Sequence, residues 1–96
     1  MILLIPVDEE KNLCSVKENS SWAVVTFDEG QTQNIEFYDN KEEIKEYIDF
    51  VIVQNQNEDV DDFLDEGLGI LIAPMQKSID DIIEAYMFRE LHELGS

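Results

Sequence analysis

Three kinds of side chain in these 96 residues could do chemistry: one cysteine, one histidine and a large surplus of carboxylates. Cys14 sits in a polar stretch, Leu13-Cys-Ser-Val-Lys-Glu-Asn-Ser20. A thiolate there would suit iron or an iron–sulfur species. A single thiolate does not hold a cluster, so a second copy or an outside ligand would have to complete the site. Lys17 would lower the thiol pKa and Glu18 would oppose it. A plain packed cysteine, behaving as a small hydrophobe, is the competing reading. His92 falls beside Glu90 and Glu93, where a helix end would favour its charged form. A lone histidine rules out a two-histidine metal site within one chain.

The carboxylates offer two further candidates. Asp8, Glu9 and Glu10 follow the first apolar run, and Asp49 opens a later one. Carboxylates at such strand ends hold paired magnesium ions in nucleases. Nuclease substrates also need positive charge around the site, and this chain lacks it. Glu58, Asp59, Asp61 and Asp62 lack the glycine and terminal glutamate of a calcium-binding loop, so they read as a solvated helix face. No nucleophile elbow, phosphate-binding loop or dinucleotide fingerprint is present.

Charge narrows the partners. Twenty-three acids against six bases give a formal charge of −17. Such a surface repels phosphate backbones and anionic headgroups, so neither nucleic acid nor membrane is expected. A basic protein fits better; the other partner reading is self-association through the exposed edge of the third strand, and a monomer or weak homodimer is expected. One cysteine excludes an internal disulfide framework and suits a reducing compartment. MILLIPVDEE has no basic segment ahead of its apolar run, and no run approaches a membrane span, so a cytoplasmic location is expected. Gly95-Ser96 resembles a cloning scar, leaving one domain over residues 1–94.

The elements that would position these groups follow from periodicity. Ile2 to Val7 is a continuous apolar run, suited to a central strand covered on both faces. Residues 8–21 form a long polar loop. Trp22 to Phe27 and Gln31 to Tyr38 make a hairpin around Asp28-Glu-Gly30. Asn40 can cap a short helix, with Glu43 at its third position and Ile44, Tyr47 and Ile48 on one face. Phe50 to Val53 is a buried strand. A second helix starts from Asn57, buries Val60, Phe63 and Leu64, and stops at Gly67. That helix makes the crossover to a parallel strand at Ile70 to Ile72, which should be right-handed. Pro74 ends this strand. Ser78 caps a third helix, with Asp81 at its third position and Ile79, Ile82, Ile83, Tyr86, Met87 and Leu91 at helical spacing.

The order and spacing of Ile5-Pro6-Val7-Asp8, Trp22 to Phe27, Gly69-Ile-Leu-Ile-Ala-Pro74 and Ser78 to Tyr86 resemble the dinitrogenase iron–molybdenum cofactor biosynthesis family, the NifX-like domains. The resemblance spans nearly the whole chain and is best in the final third. It implies an α/β fold of ribonuclease H-like type: a mixed five-stranded sheet, order 3-2-1-4-5, flanked by three helices. It also implies a non-enzymatic accessory protein that binds an iron–sulfur or iron–molybdenum cluster precursor. Family members commonly carry His-Phe-Gly in the loop after the first strand. The corresponding loop here has neither histidine nor glycine, so no histidine ligand carries over and Cys14 is the remaining candidate. The alternative function is a protein-interaction module using the acidic surface or the exposed edge of the third strand.

Overall fold

In a computed structural model that describes residues 1–94, the chain forms one six-stranded mixed sheet with two α-helices. The strands are β1 (Ile2–Val7), β2 (Ser21–Asp28), β3 (Gln31–Tyr38), β4 (Phe50–Val53), β5 (Gly69–Ile72) and β6 (His92–Glu93). The helices are α1 (Asp61–Asp65) and α2 (Ile79–Met87). The sheet order is β3-β2-β1-β4-β5-β6. β1, β4 and β5 run parallel, while β2, β3 and β6 join antiparallel. The five expected strands occupy the expected order. The expectations of five strands and three helices are corrected to six strands and two α-helices.

Each strand's composition follows from its place. β1 lies between β2 and β4 and is covered on both faces, hence its unbroken apolar run. Leu3, Ile5 and Val7 pack under α2 with Ala23, Val25, Ile52, Leu71 and Ile82. Leu4 faces the other way, with Trp22, Val24, Val51, Ile70 and Phe63 of α1. Trp22 meets Phe63 edge-on, with ring centroids 6.1 Å apart. The β2–β3 hairpin closes through Glu29 and Gly30, both at positive φ, the two-residue turn whose twist matches that of paired strands.

Both helices end in the same backbone motif. After α1, Leu68 N–H bonds Phe63 C=O and Gly67 N–H bonds Leu64 C=O, with Gly67 at φ 82°. After α2, Glu90 N–H bonds Ala85 C=O and Arg89 N–H bonds Tyr86 C=O, with Arg89 at φ 58°. An arginine occupies the left-handed position that usually takes glycine. The third helix expected to run to Leu91 therefore stops at Met87, and the chain turns back to pair His92 with Ile72. His92 belongs to a sheet edge and not to a helix end.

The first expected helix is also corrected. Only a 3-10 turn forms, over Lys41–Glu43, and Ile44 is already extended (φ −80°, ψ 123°). Two turns of helix nucleate poorly unless one face packs. Ile44 and Ile48 do reach the α1-side core, but Tyr47 is 94% exposed. The second expected helix begins later than its proposed cap: the residue preceding α1 is Val60, and Asp59 Oδ1 accepts from Asp61 N–H at 3.2 Å. Ser78 does cap α2, its Oγ accepting from Asp81 N–H at 3.0 Å. Among the described residues no helix is long and apolar enough to cross a membrane.

Candidate functional site

In open α/β sheets, ligands bind beyond the carboxyl ends of the parallel strands. Here that rim is built from the segments after β1, β4 and β5, and Cys14 lies in it.

The segment after β1 is tied down throughout. Asp8 folds the chain back at once: its Oδ1 accepts from Glu10 N–H (2.9 Å) and Asn12 N–H (3.1 Å), and Lys11 turns through φ 66°. Leu13 then bridges Val7, donates its N–H to Lys77 C=O at 2.6 Å, and inserts its side chain into the α2-side core at 4% exposure. Cys14 N–H bonds Pro6 C=O at 3.1 Å. What the sequence presents as a long polar loop is pinned at both ends, since Ser20 N–H also returns to Val7 C=O.

Glu58 joins this segment to the one after β4. One carboxylate oxygen accepts from Val16 N–H at 2.8 Å. The other accepts from Gln54 N–H at 2.6 Å and Asn55 N–H at 3.3 Å. Gln54 Nε2 donates in turn to Leu13 C=O at 3.3 Å. Backbone N–H groups converging from two loops form the concavity that ordinarily captures an anion. In this chain its own carboxylate fills it. A cleft of about 290 Å³ lies alongside, lined by Ser15, Val16, Lys17, Asn55, Glu58 and Asp59 among others.

Burial and the nearby carboxylates together set the state of Cys14. Burial, followed by the charges of Asp8, Glu18 and Glu58, pushes the thiol from 9.0 up to about 11. Each nearby acid disfavours a second negative charge. Cys14 is thus a neutral thiol at physiological pH, the opposite of an activated nucleophile or preformed metal ligand. The lowering effect expected of Lys17 does not prevail.

The other candidates stay apart. Asp8 follows β1, whereas Asp49 precedes β4 and accepts from Ile2 N–H at 2.8 Å. They therefore lie at opposite ends of β1, about 20 Å apart at the strand rise per residue, and cannot share a metal pair. His92 pairs with Ile72 at the carboxyl end of β5, on the edge strand three places across the sheet from β1, which Cys14 follows. Among the described residues no group of three or more His, Cys, Asp or Glu side chains could hold a metal ion. Two larger depressions, of about 580 and 630 Å³, lie at the amino ends of the parallel strands, around Met1 and Tyr86 and around Asp49 and Leu68. Glu58 is the site residue that sequence reasoning assigned to a solvated helix face. Its acceptors serve a donor 42 residues away, and no local pattern signals such a bond.

No protein-family model matches the chain, and no curated protein matches it. Solved structures do. A protein of Methanocaldococcus jannaschii described as a "putative dinitrogenase" superposes with a TM-score of 0.81 at 17% identity, covering 100% of this chain and 96% of that one. The protein PH0822 superposes with a TM-score of 0.75 at 13% identity, covering 100% and 98%. At these identities the likeness is one of fold.

Proposed function

We propose that this chain is a non-enzymatic accessory protein on the scaffold of the iron–molybdenum cofactor carriers, and that it works by binding a protein and not by holding a cluster. The occupied rim carries this reading. Where a carrier would offer open backbone N–H groups and ligating side chains to an anionic cluster, this chain offers Glu58, already bonded to three N–H groups. Cys14, the one thiol, is held neutral by the same surroundings. The donor set does not fit a cluster.

Several observations support the scaffold half of the proposal. The strand order, the parallel β1–β4–β5 core and the full-length likeness to the M. jannaschii protein agree with a ribonuclease H-like domain of the NifX type over residues 1–94. The net charge of −17 favours a basic partner, whose binding would weaken with salt. A lone cysteine favours a reducing, cytoplasmic setting.

Anaerobic addition of ferrous iron and sulfide, followed by visible absorbance, tests the proposal. The wild-type chain is expected to acquire no stoichiometric cluster absorbance, and Cys14→Ser is expected to behave identically. Stoichiometric absorbance that disappears in Cys14→Ser would restore the carrier function and defeat the proposal.

A further inference from the structure

β3 is an eight-residue strand at the end of the sheet, and it is exposed along almost its whole length. The direction of its backbone groups follows from bonds further in. Ile2 C=O accepts from Asp49 N–H on the β4 side, while Met1 and Val7 accept from Phe27 and Ser20 on the β2 side. Backbone groups alternate along antiparallel pairs. Leu3 and Ile5 therefore bond Val25 and Ala23, and Trp22, Val24 and Thr26 turn toward β3. Their partners Tyr38, Glu36 and Asn34 spend their backbone groups on β2. Ile35 and Phe37 are left with N–H and C=O pointing outward, and among the described residues no backbone bond from outside the hairpin reaches them.

The side chains of the same two residues are apolar and uncovered. Opposite Val25 and Ala23, they lie on the α2 face of the sheet but beyond its core, at 37% and 45% exposure. Lys11 stacks its ammonium 4.8 Å from the Phe37 ring. In a chain of net charge −17, the segment Gln31–Tyr38 carries a single carboxylate, Glu36. The opposite sheet edge, β6, is only two residues long.

We infer that β3 is a self-association edge, where a second copy of this chain adds antiparallel to form a continuous twelve-stranded sheet (six strands from each copy). The outward groups restrict the register. A two-fold axis at Glu36 sets two carboxylates directly opposite, which is destabilising. An axis at Ile35 pairs Ile35 with its symmetry mate as the hydrogen-bonded pair and sets Glu36 opposite Asn34 of the second copy. On the other face, Ile35 and Phe37 of both copies become diagonal neighbours in one apolar strip. Each copy is strongly negative, so salt screening strengthens this dimer, whereas it weakens binding to a basic partner. The inference is independent of what the rim holds.

Sedimentation velocity over a concentration series at low and high salt tests it. The expected result is a monomer–dimer equilibrium that shifts toward dimer with salt and is lost in Ile35→Pro, which removes the outward N–H and the exposed isoleucine side chain while sparing the hairpin's own bonds. A chain that stays monomeric at every concentration and salt overturns the inference, as does a dimer that Ile35→Pro leaves intact with its fold confirmed by circular dichroism. Cysteine cross-linking in a Cys14→Ser background checks the register without relying on proline. Ile35→Cys is expected to oxidise to a covalent dimer faster than Glu36→Cys or Phe37→Cys. Faster cross-linking by Glu36→Cys would overturn the Ile35-centred arrangement.

Discussion

Replacing Glu58 by alanine strips the acceptor from three backbone N–H groups at once. Those of Val16 and Gln54 are partly buried, and that of Asn55 is exposed. Water replaces the Asn55 bond at little cost. The other two are bonds to an ionised group, worth about 1.5–3 kcal/mol each when well sheltered. Partial exposure puts them at the lower end, so Glu58→Ala should cost about 2–3 kcal/mol. In a domain of this size that corresponds to a fall in Tm of about 10–20 °C. Glu58→Gln should not rescue, because Oε1 serves one loop and Oε2 the other. An amide offers only one acceptor and turns its NH₂ against the second donor, leaving a cost of about 1–2 kcal/mol. Urea unfolding would read both, as a lower midpoint at unchanged slope. Hydrogen exchange should quicken at Val16 and Gln54 before other core amides. A Glu58→Ala protein within about 0.5 kcal/mol of wild type, the range of an ordinary surface change, would refute the claim that this carboxylate joins the two loops.

Three further outcomes follow from the same structure. Leu13→Ala should cost about 2–4 kcal/mol in urea unfolding, because Leu13 is a core residue supplied by a loop; a neutral result would mean that the loop is not anchored. Ser78→Ala should cost about 1 kcal/mol through loss of the bond to Asp81 N–H, read as a lower thermal midpoint. Cys14 should react sluggishly with iodoacetamide at neutral pH, its rate rising toward pH 11. Its folded pKa lies above the value of 9.0 for a free thiol, so the native state holds the proton more tightly. That contribution to stability is complete below pH 9 and is lost as pH rises toward about 11.

The strands were readable because burial on two faces demands apolar runs, and Ile2 to Val7, Phe50 to Val53 and Ile70 to Ile72 supply them. The Ser78 cap was readable because its bond is local. The end of α2 was not. A stop of this kind normally advertises itself with glycine, and here Arg89 takes the left-handed turn. Leu91 fits the helical spacing equally well, so the hidden stop concealed β6. The 3-10 turn at Lys41 was missed because Ile44, Tyr47 and Ile48 mimic a helix face that the structure does not bury as a unit. For the site, Cys14 could be placed in its loop, but its protonation state depends first on burial, and then on the charges of Asp8, Glu18 and Glu58, that only the folded chain sets. Glu58 itself looked like one acid among four.

The central claim is that the rim N–H groups after β1 and β4 are satisfied by the chain's own carboxylate, Glu58, and take up no cluster. Its most direct test is a two-dimensional amide NMR titration of the ¹⁵N-labelled protein with ferrous iron and sulfide under argon, following Cys14, Val16, Gln54 and Asn55. These signals are expected to keep their positions at equimolar iron and sulfide. Stoichiometric shifting or paramagnetic loss of those four signals, absent in Cys14→Ser, would contradict it.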